Sequence, residues 1–193
     1  MNDALRFGTV DEHVEIRLTP QEGDDVRGPH PPHDLSALTE PDTDLVRASV
    51  LIYLLERKLA LSGRNLVPLT LITVRVDGGS EARARVGAVI IETLRAADSV
   101  GALDDTHLGM VLDDTAHTGG VWAAERVRTE LAARSGPGGI ATAYGVACYP
   151  THAFDVAGLV TAATDAAARG RRLGPNRIEV APTAATVGGE ETR

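Results

Sequence analysis

An aspartate-rich turn with a histidine contains the first residues of this chain whose types could carry chemistry. Asp104, Asp105, Thr106 and His107 are consecutive, and a histidine beside carboxylates is a combination used in general acid–base catalysis. Asp and Thr are also favoured in tight turns, because their side chains hydrogen-bond to neighbouring main-chain groups. Apolar segments flank these residues on both sides. We therefore predict that they form the turn of a β-hairpin rather than a catalytic centre.

A second chemical pattern lies just before this turn, where Arg95 and Asp98 are three residues apart. A guanidinium group can donate parallel hydrogen bonds to a phosphate or to O6 and N7 of guanine, and a carboxylate can accept from guanine N–H groups. The same two side chains could instead form a surface ion pair, which would contribute only about 0.3–0.5 kcal/mol. Asp98 could also stabilise the turn into the hairpin. The pattern leaves a binding role and a structural role both open.

The hydrophobic periodicity predicts the elements that must position these residues. Helices are expected where apolar residues recur at helical spacing, and strands where β-branched residues alternate with others. Asp42 or Thr43 could cap the first helix, and Ser62-Gly63 could stop it. The predicted helices are 43–61, 80–97, 115–134 and 155–172, and the predicted strands are 69–77, 99–103, 107–112, 140–148 and 177–180. This order indicates an α/β domain: a single sheet flanked by helices, with one β-hairpin.

The charge of the chain is concentrated at its ends. Of the net charge of −8, residues 1–40 contribute −6 and residues 181–193 contribute −1, so the middle is nearly neutral. A nearly neutral surface argues against nonspecific binding to nucleic acid, which needs a basic surface. We expect an acidic, Pro/Gly-rich N-terminal arm over 1–39, a folded domain over 40–180 and a C-terminal tail over 181–193.

The sequence shows no pattern typical of membrane targeting or metal binding. No signal peptide is visible, and the apolar stretches are too short to span a bilayer, so we expect a cytoplasmic protein without membrane insertion. Cys148 is the only cysteine, which excludes an intrachain disulfide and a cysteine-rich metal site. His30 and His33 lie in a Pro-rich segment, where histidines are usually solvated. We therefore expect no metal and no cofactor.

The segment Leu94–Thr115 resembles the central region of the diguanylate cyclase, or GGDEF, family. That family has the pattern L-R-x-x-D-x-V-A-R-Y-G-G-D-E-F-A-I-L-L-P-D-T, and here the five signature positions hold Asp104-Asp105-Thr106-His107-Leu108. Further matches are 40–45 to D-P-L-T-G-L, 143–150 to S-I-G-V-A with Y-P, and 174–178 to G-R-N-R-V. The resemblance covers about Glu40 to Val180. It implies the GGDEF fold, a nucleotidyl-cyclase-like sheet flanked by helices.

The residues that the family uses for catalysis differ at these positions. The family's metal-binding aspartate corresponds to Arg75, and its second metal carboxylate falls on Thr106 or His107. Its two signature glycines, which let the triphosphate approach the backbone, are Asp104 and Asp105. Its guanine-binding asparagine corresponds to Arg47, and the guanine-binding segment after the first strand is missing. The resemblance therefore implies a degenerate domain without cyclase activity, and we assign no catalytic residue.

A second site of the family is retained at the matching positions. The inhibitory site that binds cyclic di-GMP has an R-x-x-D motif ending five residues before the signature, and Arg95 and Asp98 preserve that distance. Arg126 matches a further arginine, which the resemblance places on a neighbouring protomer. Two functions follow as alternatives: a cyclic di-GMP receptor that uses these three residues, or a ligand-free protein-interaction module that dimerises or docks. Its partner would be a downstream protein, for instance of polysaccharide synthesis or signalling.

Overall fold

The computed structural model describes residues 36–41, 43, 45–135 and 139–184, and these contain alternating helices and strands. The arm over 1–35 and the tail beyond 184 lie outside the described residues. The elements occur in the predicted order: α1 (Ala48–Asn65), β1 (Leu69–Val76), α2 (Gly79–Thr93), β2 (Ser99–Ala102), β3 (His107–Leu112), α3 (His117–Ser135), β4 (Thr142–Tyr149), α4 (Val156–Leu173) and β5 (Arg177–Val180). No helix among these is long and apolar enough to cross a bilayer.

The five strands form one mixed sheet in the order β2-β3-β1-β4-β5. β1 lies at the centre and pairs antiparallel with both β3 and β4, whereas β5 runs parallel to β4. β2 and β3 form the predicted hairpin, with Ser99 opposite Val111 and Ala102 opposite Leu108. In the β1–β3 register Arg75 lies opposite His107, so the hairpin turn is adjacent to the end of the central strand.

Helices cover both faces of the sheet, because alternate residues of each strand point to opposite sides. On one face Ile72 and Val74 of β1 pack with α2 and α3, through Ile90 and Val127 among others. On the opposite face Leu69 and Leu71 pack with α1 and α4, and the core there includes Leu51, Leu55, Leu159 and Ala163. α4 lies directly on β4: a Cβ added at Gly145 would be 1.9 Å from the carbonyl oxygen of Ala163. Only glycine allows this approach.

Three predicted helix boundaries were wrong: the start and end of α1 and the end of α2. α1 begins at Ala48 rather than Thr43, because Val46 forms isolated bridges with Thr39 and Gly101 and is held extended. The preceding Arg47 gives no side-chain cap, and the other predicted cap, Asp42, lies outside the described residues. α1 also continues past Ser62-Gly63 to Asn65. α2 ends at Thr93 rather than Ala97, because the chain turns at the residues of the candidate site.

Candidate functional site

The turn that follows α2 fixes the backbone of Arg95 and Asp98. The Asp98 amide donates to the carbonyl oxygen of Arg95 at 3.0 Å, and the Arg95 amide donates to Oδ2 of Asp98 at 3.1 Å. The two residues are therefore tied through the main chain of Arg95 and not through a salt bridge. The predicted structural role of Asp98 is present, and the predicted ion pair with Arg95 is not found among the described residues. The turn occupies one carboxylate oxygen of Asp98.

The guanidinium of Arg95 is exposed and uncommitted. Within the part of the chain that the structure describes, no group accepts a hydrogen bond from it. Oδ1 of Asp98 likewise has no protein donor among those residues. A strong donor and a strong acceptor, both anchored by a closed turn, are thus close together and available. Such a pair can hydrogen-bond a ligand without first breaking a contact within the protein.

Arg126 lies on α3 and reaches the same region. Its Nη2 donates to the carbonyl oxygen of Thr93, the last residue of α2. This contact satisfies an acceptor that the end of a helix leaves free, and it holds the guanidinium at the start of the Arg95 turn. Arg126 and Arg95 therefore belong to one chain and one surface. Contact with a ligand from the Arg126 of a neighbouring protomer, which the resemblance implied, stays a prediction.

Arg95, Asp98 and Arg126 line one groove between the α2–β2 turn and α3, with a cavity of about 590 Å³. This volume lies within the range of about 300–1,000 Å³ that is common for small-ligand sites. The groove also exposes Trp122, whose residue surface is 78% accessible. Sequence reasoning placed Trp122 on the helix without assigning it a site. Trp122 is four residues before Arg126, so both lie on one face of the helix, and this spacing in the sequence could have assigned Trp122 to the site.

The charges of the groove are partly neutralised from outside it. Glu125 and Glu130 line the groove, but Arg128 pairs with Glu125, and Arg134 pairs with Glu130 at 3.4 Å. These two arginines do not line the cavity. The charged groups of the lining that have no salt-bridge partner among the described residues are Arg95, Arg126 and Asp98. The free N–H groups of Arg95 and Arg126 can therefore meet an anion, and the free oxygen of Asp98 can accept from hydrogen-bond donors on the same molecule.

Asp104, Asp105 and Thr106 lie in the hairpin turn between β2 and β3, as predicted, and Asp104 organises it. Oδ1 of Asp104 accepts from the amides of Thr106 at 2.7 Å and His107 at 2.9 Å, and Oδ2 lies 2.8 Å from Nδ1 of His107. Desolvation of this carboxyl opposes ionisation, but the hydrogen bonds from Thr106 and His107 outweigh it and lower the pKa of Asp104. Asp105 is exposed, and Leu108 is fully buried in β3.

The end of β1 carries a carboxylate that arginines surround. Asp77 lies 3.5 Å from Nε of Arg75 and accepts a hydrogen bond from Nε of Arg171 at 2.6 Å. A divalent cation needs carboxylates that are free to coordinate it. Residues 36–41, 43, 45–135 and 139–184 contain no group of three or more His, Cys, Asp or Glu side chains that could hold a metal.

Solved structures show what this arrangement of elements is similar to. No family model matches the sequence. No curated protein matches it either. The GGDEF domain of TpbB (YfiN) from Pseudomonas aeruginosa superposes with a TM-score of 0.67 at 19% identity, over 74% of this chain and 94% of that chain.

Two further structures give nearly the same superposition. The active GGEEF domain of a diguanylate cyclase from Vibrio cholerae has a TM-score of 0.65 at 18% identity, over 72% of this chain and 99% of that one. The GGDEF domain of DgcB from Caulobacter crescentus, solved in complex with c-di-GMP, has a TM-score of 0.62 at 17% identity, over 75% and 95%. The chain has the fold of GGDEF diguanylate cyclase domains.

Proposed function

We propose that this chain is a catalytically inactive GGDEF-like domain that binds cyclic di-GMP in the groove of Arg95, Asp98 and Arg126. One observation carries the proposal: the three residues line a single groove on one chain, and the Arg95 guanidinium is free of partners among the described residues. The superposed DgcB domain was solved with c-di-GMP, which supports the choice of ligand. Arg95 and Asp98 are then binding residues, and the turn that joins them is their scaffold.

The ligand's groups match those of the groove. Arg95 donates through its guanidinium to a phosphate or to O6 and N7 of a guanine base. The free carboxylate oxygen of Asp98 accepts from guanine N–H groups, which an adenine base does not offer in the same arrangement. Arg126 keeps its bond to Thr93 through one nitrogen and has further N–H groups for a phosphate. The ligand's two negative charges can pair with Arg95 and Arg126, which have no ion-pair partner among the described residues.

We propose that the domain does not catalyse cyclic di-GMP synthesis, because the residues at the positions that would hold the metal and the triphosphate are unsuited to both. The fold does not decide this, because the similar Vibrio cholerae domain is active. Arg75 places a cation where a metal ligand is required, and Asp77 is already paired with arginine. Asp104 uses its carboxylate to accept from the turn amides, so a phosphate would meet negative charge there. Neutralisation of phosphate charge is the main task of such a site.

Guanine recognition at a catalytic site is replaced as well. Arg47, which corresponds to the family's guanine-binding asparagine, lines a second cavity beside the starts of α1 and α2. Arg83 and Glu40, also in its lining, form two parallel hydrogen bonds of 2.8 Å. An asparagine side chain can both donate and accept, whereas an arginine only donates. Arg47 could donate to O6 and N7 of guanine but has no acceptor for the guanine N–H groups, so it does not replace an asparagine that does both.

A second candidate function is a ligand-free interaction module on the same fold. Exposed aromatic side chains support it, since Trp122 is 78% and Phe154 68% accessible, and such residues often anchor protein interfaces. A homodimer or a downstream signalling protein would then cover one of them. The two functions differ in what the groove does: the receptor needs Arg95 and Asp98, and the module does not.

Calorimetric titration with cyclic di-GMP, followed by mass measurement of the complex, tests the proposal. We expect saturable heat, with GMP and cyclic di-AMP binding more weakly at equal concentration. The absence of heat at about 100 μM ligand, which corresponds to a binding free energy weaker than about −5.5 kcal/mol, would contradict the receptor. A dimer that forms equally with and without ligand would then support the interaction module.

A further inference from the structure

Trp122 has an unusual place in the groove. It is the only tryptophan of the chain, and it lies one helical turn before Arg126 on α3. At 78% accessibility its indole contributes little to the protein core. Its neighbours along the groove, Gly119 and Ala123, have the smallest side chains, so neither of them packs a bulky group over the indole. A large planar apolar surface is thus open beside a fixed guanidinium.

We propose that Trp122 is a stacking platform for a purine base of the ligand, and this inference rests on the proposed function. The flat face of an indole attracts any nucleobase, because every base has a π-face to stack against it. Arg95 and Asp98 supply hydrogen bonds to the edges of a base, and the indole adds a broad apolar contact with its plane. The groove then contacts a base both at its edge, by hydrogen bonds, and on its face, by stacking.

The two kinds of contact divide affinity from selectivity. Stacking tolerates different bases, so Trp122 strengthens the binding of guanine and adenine nucleotides alike. Hydrogen bonds at the base edge depend on the positions of donors and acceptors, so Asp98 selects guanine. Loss of Trp122 should therefore weaken all purine ligands by a similar factor, and loss of Asp98 should weaken guanine ligands in particular.

The test uses the full chain and titrates cyclic di-GMP into the wild type, Trp122→Ala and Trp122→Phe. Loss of one base–aromatic stack lowers affinity by about tenfold or more, so we expect that loss for the alanine variant and a smaller one for phenylalanine. Phe154→Ala is the matched control, because Phe154 is similarly exposed and does not line the groove. It should bind like the wild type. Indole fluorescence of the wild type should change on saturation, since all of it comes from Trp122.

The outcomes separate this inference from the proposed function. Wild-type binding that Arg95→Ala weakens and Trp122→Ala leaves unchanged would overturn the stacking role and keep the receptor. A wild type that binds no cyclic di-GMP would overturn both. Binding that Trp122→Ala preserves, together with loss of a dimer in that variant, would reassign the indole to a protein interface. Circular dichroism spectra that match the wild type establish that each variant is folded.

Discussion

Arg171, near the end of α4, donates a hydrogen bond from Nε to Oδ2 of Asp77 at 2.6 Å, across 94 positions of sequence. Nε of Arg75 lies 3.5 Å from the other carboxylate oxygen of Asp77, Oδ1. Asp77 lies two residues after Arg75, the position that the resemblance aligns with the family's metal-binding aspartate. Two guanidinium groups neutralise its charge, so a divalent cation gains little by approaching it.

We therefore expect no cyclic di-GMP from GTP in the presence of Mg²⁺ or Mn²⁺, measured by chromatography after prolonged incubation. Arg171→Ala would release Asp77 from one arginine, yet should remain inactive, because Thr106 and His107 provide no second carboxylate. The active Vibrio cholerae domain serves as a positive control under the same conditions. Turnover that disappears in Asp77→Ala or Asp105→Ala would show that the metal site exists.

Arg95→Ala and Arg126→Ala should each weaken cyclic di-GMP binding by about tenfold or more, since each removes a charge-assisted hydrogen bond worth about 2–5 kcal/mol where it is buried, or less where water substitutes. Calorimetry gives the affinities. Arg85→Ala is the matched control, because Arg85 is an exposed arginine of α2 outside the groove lining. An equal loss in this control would mean that only general electrostatic attraction was measured.

Asp98 needs two substitutions to separate its two tasks. In Asp98→Asn the single side-chain oxygen can still accept from the Arg95 amide, so this variant should keep the turn but lose the acceptor for guanine. We expect cyclic di-GMP affinity to fall by about tenfold and the unfolding temperature to stay unchanged. Asp98→Ala should lower both. Wild-type affinity in Asp98→Asn would restrict Asp98 to its structural role.

Asp104 should stabilise the hairpin although it is not catalytic. Asp104→Ala removes the acceptor for two turn amides, so the free energy of unfolding should fall by about 1 kcal/mol in urea titrations. The neighbouring Asp105→Ala, an exposed position, should change it by less than about 0.5 kcal/mol. The reverse order of the two effects would contradict the role of Asp104 in the turn.

The carboxyl of Asp104 should also make the free energy of unfolding depend on pH in the acidic range. Its pKa is lowered in the folded chain, so below an unfolded value of about 3.9 the unfolded chain binds a proton that the folded chain does not. The contribution of Asp104 is therefore present above about pH 4 and is lost as the pH falls through the folded pKa. Asp104→Asn should flatten the unfolding free energy over this acidic range relative to the wild type.

His152 should make the free energy of unfolding depend on pH in a second range, near neutral pH. Burial and the nearby His117, whose ring centroid is 5.4 Å away, lower the pKa of His152, and its Nδ1 accepts from the Cys148 amide at 2.8 Å. As the pH falls below the unfolded value of about 6.5, the unfolded chain binds a proton first, so stability decreases. His152→Gln should reduce the difference in unfolding free energy between about pH 7.5 and about pH 5. An unchanged difference would exclude His152 as the cause.

The local pattern of the sequence was enough to predict the order of the elements. Side chains of β1 alternate between the two faces, and apolar residues of α1 and α3 repeat with the helical period, so each element carries its own signal. The hairpin turn was predictable for the same reason, since Asp104 bonds to amides only two and three residues away. The spacing of Arg95 and Asp98 was likewise visible.

Contacts between distant segments could only be decided by the tertiary structure. The start of α1 depends on Val46 bridging to Gly101, and the end of α2 depends on the turn that Asp98 closes. The meeting of Arg126 with that turn requires α2 and α3 to pack side by side, which no periodicity encodes. Exposure of Trp122 is a property of the same packing. Burial and pairing depend on neighbours far along the chain, so they emerge only when the sheet and its helices assemble.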